Sequence, residues 1–267
     1  MRWILVIALL PCRSVLGQAP LPSPFDDKGA RIVDLAWPLN EKSPFWPGDN
    51  YTPFRLETIA TLKEDGVSSK AFSMPEHLGT HIDAPNHFEN DRPGVDAIPA
   101  ERLFGPGVVI DLAVKCEMDP DAMLTVADIA DWEKSHGAIP RGAIVLLQTG
   151  WGRHATNPAR YQNRDVMGKM HFPGFSAEAA EWLVREREVR GIGLDTLSID
   201  RGLSTKFEVH HVINKAGRYG LENVAHLDQL PATGFGLIVA PIKIEGGTGG
   251  PTRIWAVVPK GPGEPAR

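Results

Sequence analysis

The stretch His77-Leu78-Gly79-Thr80-His81-Ile82-Asp83-Ala84-Pro85-Asn86-His87 gathers three of the nine histidines of the chain beside one carboxylate. Side chains of an extended chain alternate between two faces, so His77, His81, Asp83 and His87 would share one face. Imidazole and carboxylate groups are ligands that suit zinc and manganese. The stretch therefore predicts a metal site in which two histidines and one aspartate leave coordination positions open for water and substrate.

The distance between His77 and His81 requires a bend in the chain. At about 3.3 Å per residue, the two would lie roughly 13 Å apart on a straight strand, too far for metal–nitrogen bonds of about 2.1 Å. Gly79 lies between them and can adopt the backbone angles of a bend. A helix would also bring both histidines to one face, but the glycine, the β-branched residues and the proline of this stretch disfavour it. We expect a short bent strand that leads into a loop.

This stretch matches the H-x-G-T-H-x-D-x-P-x-H motif of the cyclase family, which includes bacterial kynurenine formamidases and isatin hydrolases, and the chain resembles that family over about residues 30–258. Further similar segments are Asp34-Leu35, Trp46-Pro47-Gly48-Asp49, Gln148-Thr149-Gly150-Trp151, Leu221-Glu222-Asn223 and the stretch from Pro241 to Pro251. The resemblance implies a single α/β (α+β) domain with a mixed-sheet β/β/α arrangement of the cyclase-like (swivelling) type. It also implies assembly into homo-oligomers, with a homodimer as the expected form.

The resemblance assigns roles to residues inside and outside the motif. His87 takes the position of the catalytic histidine that shuttles a proton, with a metal ligand or a support for the ligands as alternatives. Family members with two metals add a distant histidine and glutamate, which His210 and Glu222 match best, and His211 is the neighbouring alternative. With a single metal, His210 and Glu222 would support the ligands instead. The expected cofactor is one or two Mn²⁺ or Zn²⁺ ions.

Two aromatic residues are candidates for binding the substrate. Trp46 matches a tryptophan that contacts the substrate in kynurenine formamidases, and a flat indole can stack on an aromatic amide. Phe72, just ahead of the metal motif, is the second candidate. The glycine-rich segment 246–250 is not a phosphate loop, because it lacks the Lys-Ser/Thr pair and is followed by Pro251. We interpret it as a tight loop at the pocket or as a simple turn.

The N-terminus has the pattern of a secretory signal. Arg2 precedes an apolar run from Trp3 to Leu10, and Val15-Leu16-Gly17 provides small or tolerated residues at a cleavage site before Gln18. We therefore predict a signal peptide over residues 1–17, a single hydrolase domain over residues 18–267 and export from the cytoplasm. The apolar run is too short for a membrane anchor. Removal of Arg2 and Arg13 with the signal peptide would change the formal charge from −5 to −7. A protein with this negative charge is disfavoured as a partner of nucleic acid or anionic membranes.

Hydrophobic patterning predicts a mixture of strands and helices without a strict βαβ rhythm. Strands are expected over residues 31–37, 54–62, 107–111, 143–148, 191–195, 236–241 and 254–258. Helices are expected from a Thr125 cap through Lys134, from a Ser176 cap through Arg187, and over residues 207–217. Asp195 and Asp200, which follow one of these strands, are interpreted as hydrogen-bonding residues rather than as catalytic carboxylates.

These features together predict a metal-dependent amidohydrolase that acts on a small aromatic amide. By resemblance, metal-activated hydroxide attacks the carbonyl carbon and His87 delivers a proton to the leaving nitrogen. Opening of a cyclic amide, isatin to isatinate, is preferred because the segments 198–200, 220–223 and 243–251 resemble the isatin hydrolase branch. The alternatives are a kynurenine formamidase (arylformamidase), a related lactonase, or a non-catalytic metal-binding protein of the same fold.

Overall fold

The computed structural model describes residues 29–261. Most of its strands form one mixed sheet of eight, in the order β1-β12-β11-β5-β7-β9-β10-β4. Their bounds are β1 Ala30–Asp34, β4 His81–Asp83, β5 Phe104–Asp111, β7 Ile144–Gln148, β9 Gly191–Leu194, β10 Tyr219–Glu222, β11 Phe235–Pro241 and β12 Gly249–Pro259. The predicted signal peptide over residues 1–17 lies outside the described residues.

The sheet closes on itself through the short strand β4. One edge of β4 pairs antiparallel with β10, where His81 lies opposite Glu222, and the other edge pairs with the start of β12, where Gly249 lies opposite Asp83. The longer strand β12 then continues past β4 and pairs with β1 on the same edge and with β11 on the other. The result is a closed mixed barrel, which confirms the mixed α/β fold, although the sequence did not predict the closure.

Alternation along the central strands divides the core into two parts. Val108 and Ile110 of β5 belong to a cluster that includes residues of the helices, whereas Val109 between them faces a second cluster built from the strands and their connections. Strand β7 repeats this pattern, with Val145 towards the helices and Leu146 away from them. Since successive side chains of a strand point to opposite faces, helices cover the outside of the barrel and strand residues fill its interior.

Within residues 29–261 six α-helices connect the strands, and the three longest match the predicted ones. Their bounds are α1 Leu62–Asp65, α2 Ala113–Met118, α3 Val126–His136, α4 Pro158–Gln162, α5 Ala177–Arg187 and α6 Glu208–Lys215. Thr125 caps α3 in a capping box with Asp128, and Ser176 caps α5, both as predicted. In residues 29–261 no helix has the length and apolar character needed to cross a bilayer.

Two small sheets lie apart from the barrel sheet. Strands β2 (Arg55–Ala60) and β3 (Ser69–Ser73) form an antiparallel hairpin, and β6 (Met123–Leu124) pairs with β8 (Gly174–Phe175). The hairpin is exposed along nearly its whole length, yet it carries the cross-strand apolar pair Leu56 and Phe72. The predicted strand over residues 54–62 corresponds to β2, whereas the sequence patterns did not reveal β3 or β10.

Candidate metal centre

The predicted bend lies at Gly79, as expected. This residue has a φ of +65°, and a Cβ atom added there would lie 2.7 Å from Leu39 Cδ2. The turn brings the rings of His77 and His81 to a centroid distance of 5.2 Å. Glycine is the residue that tolerates this backbone conformation, so the bend that places both histidines at one site is encoded in the motif itself.

Four side chains gather around Asp83 at the seam between β4 and β10. His77 Nδ1 is 2.6 Å and His81 Nε2 is 3.2 Å from Asp83 Oδ1. His210 Nε2, from α6, is 3.3 Å from Asp83 Oδ2 and 3.2 Å from Glu222 Oε1. Glu222 Oε2 lies 3.4 Å from His81 Nε2. The structure therefore brings together all five residues predicted as metal ligands.

The outer nitrogens of two histidines are held by acceptors, which turns their other nitrogens to the centre of the site. His81 Nδ1 donates to the carbonyl oxygen of Gly79 at 2.9 Å. His210 Nδ1 donates to Asp200 Oδ2 at 2.7 Å, and the same carboxylate accepts the backbone N–H of Val209. Partners of this kind orient the imidazoles that bind metals. Asp200 is therefore a hydrogen-bonding residue, as predicted, and its partner is a residue of the site.

Burial and charge perturb the titration of the whole cluster. Burial disfavours the charged form of His81, but the carboxylates of Asp83 and Glu222 outweigh burial and raise its pKa to about 10. For Asp83 burial is likewise outweighed, here by His81, His210 and His77, so that its pKa lies well below the ordinary value. The pKa of His210 is raised well above its ordinary value for the same reasons, with Asp200 as the strongest of its partners.

The donor set and two unpaired atoms fit a metal ion. His81 Nε2 and Asp83 Oδ2 are buried without a hydrogen-bond partner among the described residues, although an unpaired buried polar atom is costly. One group of candidate ligand atoms joins His81, Asp83 and Glu222, and a second joins His77 and His87 to the same aspartate. Imidazole and carboxylate ligands suit Zn²⁺ or Mn²⁺, and Asp83 contributes to both groups.

The two adjacent histidines of α6 have different environments. The His210 side chain is buried in the cluster, whereas His211 is 53% exposed and its Nδ1 lies 3.1 Å from Glu89 Oε1 at the surface. Neighbouring residues on a helix project about 100° apart, so only one of them can face the site. Of the two alternatives left open by the sequence, the structure brings His210 to the centre.

His87 lies beside the cluster rather than in its middle. Its ring stacks on that of His77 at a centroid distance of 3.9 Å, and it lines the cavity above the site. Burial lowers the pKa of His87 to about 3. The attraction of Asp83 for a charged imidazole is smaller than the effect of burial, and the nearby histidines repel a positive charge. His87 is therefore a neutral imidazole at neutral pH.

A cavity of about 210 Å³ opens directly onto these side chains. Its walls are mostly aromatic and apolar: Trp46, Tyr51, Phe88, Leu197 and Phe207, with Ser198 and Asn223 as polar additions. Trp46 lies in this wall as expected, with its ring 5.5 Å from that of Phe207. The structure does not bring Phe72 to this cavity, because strand β3 carries it away to the exposed hairpin, where it stacks on Phe54 and is 57% exposed.

Sequence reasoning missed several wall residues, and two of them carried a signal. Phe88 directly follows the metal motif and contacts His210, with a centroid distance of 4.5 Å. Asn223 directly follows Glu222 and adopts a left-handed conformation, with a φ of 55°. It donates from Nδ2 to the carbonyl oxygen of Gly79 and so ties β10 to the bend. Phe207 has a similar φ of 52°, which its sequence context does not reveal.

Comparison with known proteins relates the chain to a family of hydrolases. The Cyclase family model matches residues 33–201. Isatin hydrolase of Roseibium aggregatum is 38% identical over 86% of this chain and 92% of that protein. Kynurenine formamidase of Bordetella petrii is 32% identical over 84% of this chain and 96% of that protein.

One of the solved structures with the same fold as this chain is also an isatin hydrolase. Isatin hydrolase A from Labrenzia aggregata, bound to benzyl benzoate, has a TM-score of 0.82 and 40% identity, and the match covers 86% of this chain and 94% of that one. The shared fold, the intact motif and the family match over residues 33–201 place this chain in the cyclase family.

Proposed function

We propose that this chain is a metal-dependent hydrolase that opens the cyclic amide of isatin to give isatinate. The observation that carries the proposal is the small aromatic cavity that ends on the cluster of three histidines and two carboxylates. The similarity to isatin hydrolases extends over 92% and 94% of the two proteins compared, so the match covers nearly their whole length.

The cavity favours a small uncharged ring over a flexible amino acid. Pockets for drug-sized ligands measure roughly 300–1,000 Å³, and this one measures about 210 Å³. Among the described residues that line it there is no lysine or arginine to pair with a substrate carboxylate. Formylkynurenine carries an α-carboxylate and an ammonium group, whereas isatin is a flat, neutral bicycle. This difference supports isatin over the kynurenine formamidase alternative.

His77, His81, Asp83, His210 and Glu222 would hold one or two Mn²⁺ or Zn²⁺ ions. When bound, the ion supplies an acidified water and polarises the substrate carbonyl. The protein contributes the rest: it fixes the ligands on β4, α6 and β10 and excludes bulk water with the wall residues Trp46, Phe88 and Phe207. A low-dielectric, preorganised site of this kind strengthens electrostatic stabilisation of the reacting carbonyl.

His87 is placed to move the proton that the reaction must transfer. In the overall reaction the carbonyl carbon gains the oxygen of water, the ring C–N bond breaks, and the nitrogen gains a proton. A neutral imidazole beside the ligands can accept the proton from the attacking water and donate it to the departing nitrogen. Its stacking on His77 holds the ring at the edge of the cavity, within reach of Asp83.

The test compares isatin with N-formylkynurenine on metal-stripped protein that has been reloaded separately with Mn²⁺ and Zn²⁺. We expect isatin hydrolysis that returns only with metal, and His81→Ala should lose both metal and turnover. The exposed His211→Ala variant is the matched control and should retain both. Turnover of formylkynurenine alone would make the formamidase alternative correct. Metal binding without turnover of either would favour a lactonase or a non-catalytic binding protein.

We also propose that the protein is exported and forms a homodimer. The basic residue and apolar run of residues 1–17 support export. The exposed hairpin β2–β3 supports self-association, because an isolated two-stranded hairpin is at best marginally stable in water and this one exposes Leu56, Ile59 and Phe72. Removal of residues 1–17 on secretion, read from the N-terminus of exported protein, tests the first. Analytical ultracentrifugation of that product tests the second.

A further inference from the structure

A hydrogen-bonded chain reaches His77 from outside the metal cluster. Glu76 Oε2 accepts the backbone N–H of Thr248 at 3.0 Å and lies 2.7 Å from the Thr248 hydroxyl oxygen. That hydroxyl oxygen is in turn 3.0 Å from His77 Nε2. His77 Nδ1, on the opposite side of the ring, lies 2.6 Å from Asp83 Oδ1. Thr248 thus contacts the side of His77 that points away from the site, and Glu76 holds Thr248 in place.

The donor count along this chain places a hydrogen on His77 Nε2. An ionised carboxylate can only accept, and a threonine hydroxyl has a single hydrogen to donate. At 2.7 Å from Glu76, that hydrogen is used on the carboxylate, because the opposite orientation would leave two oxygen lone pairs facing each other. The hydroxyl oxygen must then accept from His77, so Nε2 carries the hydrogen. With the hydrogen on Nε2, the lone pair that a metal would use belongs to Nδ1, the atom that lies 2.6 Å from Asp83 Oδ1.

We infer that Glu76 and Thr248 are positioning residues that fix the tautomer of His77 and so present its Nδ1 atom to the metal. This inference rests on the proposed metal-dependent function. It also distinguishes His77 from His81 and His210, which turn Nε2 to the centre and have their Nδ1 atoms held by Gly79 and Asp200.

The glycines around Thr248 are explained by the same arrangement. A Cβ atom added at Gly249 would lie 2.5 Å from His77 Cε1 and 2.5 Å from the carbonyl oxygen of Ile82. A Cβ atom added at Gly247 would lie 2.8 Å from Glu76 Oε1. Residues without a Cβ are needed here so that the backbone can pass against the imidazole and the carboxylate. The glycine-rich segment 246–250 is therefore the loop that delivers Thr248 to His77.

The tautomer can be observed directly by long-range ¹H–¹⁵N correlation NMR of the zinc-loaded, ¹⁵N-histidine-labelled protein. The two ring nitrogens have distinct shifts when one carries hydrogen and the other binds metal. We expect His77, assigned through its own side-chain carbons, to show a protonated Nε2 and a metal-bound Nδ1. A protonated Nδ1 in the wild-type protein would overturn the inference.

Variants separate the hydrogen bonds from mere packing. Thr248→Val keeps the shape but removes the hydroxyl, and we expect Mn²⁺ affinity, measured by calorimetry, to fall roughly 10- to 100-fold. Thr248→Ser is the matched control and should restore the affinity and the tautomer. Glu76→Leu should also weaken binding, since the hydroxyl hydrogen is then free to point at Nε2. Glu76→Gln offers an acceptor oxygen in the same place and should bind nearly as well as the wild type.

The outcomes separate this inference from the proposed function. If the wild-type protein binds no Mn²⁺ or Zn²⁺, the metal-dependent function fails. If the wild type binds metal but Thr248→Val matches it in affinity and in the tautomer of His77, the function stands and the positioning role is refuted. Thermal unfolding of each metal-free variant tests whether a loss of affinity comes from general destabilisation. If it did, Thr248→Ser would lose stability and affinity together.

Discussion

Metal binding by the cluster should become tighter as the pH rises, by an amount that the buried histidines set. In the metal-free protein the pKa of His81 is about 10, so His81 holds a proton at neutral pH. An ion can bind only after this proton leaves. Because pH 7 lies about 3 units below this pKa, removal of the proton costs roughly 4 kcal/mol, which lowers the metal affinity about a thousandfold.

The raised pKa of His81 also determines how the stability of the metal-free fold depends on pH. A histidine whose pKa is raised on folding stabilises the fold fully below its unfolded value of 6.5, and this contribution is lost as the pH rises through about 10. The metal-free protein should therefore lose stability over this range, whereas the loaded protein, in which the imidazole is already neutral, should not. The stabilisation provided by metal grows with pH.

Calorimetric titration with Mn²⁺ in buffers of different protonation enthalpy measures the released protons directly. Because the pKa of His210 is raised as well, we expect one to two protons per chain at pH 7 and an affinity that rises at least about tenfold per pH unit. His210→Ala should release fewer protons, whereas the exposed His211→Ala should match the wild type. An affinity that is flat between pH 6 and 8, with no proton release, would refute the reasoning.

Three further changes test the site and the hairpin. His87→Ala should retain metal but lower turnover about a hundredfold or more, because the proton relay is lost; loss of metal would instead make His87 a ligand. Gly79→Ala should weaken metal binding because the bend has a φ of +65°, at a strain cost of about 1–3 kcal/mol. Gly66→Ala, at a φ of +71° in open space and remote from the motif, is its control and should bind metal normally. If the protein forms the proposed homodimer, Phe72→Ser should shift its sedimentation towards the monomer, and an unchanged sedimentation coefficient would exclude the hairpin as the interface.

The local part of the site could be predicted from the sequence because its residues lie close together on a bend with a recognisable cause. Gly79 needed its backbone freedom, and His77, His81 and Asp83 followed on one face, as found. His210 and Glu222 are distant in sequence and were reached only through the family resemblance. Their approach depends on the pairing of β10 with β4, which no spacing along the chain reveals.

The barrel closure was hidden for a related reason. Strand β4 was expected from the motif, but it has only three residues and β10 has four. Several of those residues serve the site, so no hydrophobic alternation indicates that the two strands pair. Strand β5 was predicted because its valines and isoleucine face the two parts of the core. The Phe72 assignment rested on proximity in sequence alone, and strand β3 carries this residue to the exposed hairpin, outside the cavity of the same chain.

The seam that closes the barrel has a mechanical consequence. Only three residues of β4 pair with β10 on one side and with β12 on the other, so few backbone hydrogen bonds hold this joint. An ion held by His81 and Asp83 on one strand and by Glu222 on the next would act as a cross-link between segments far apart in the chain, as a disulfide does elsewhere. Amide hydrogen exchange at Ile82 and Leu221 should therefore slow on metal loading. The ion would then stabilise the closed barrel as well as take part in the reaction.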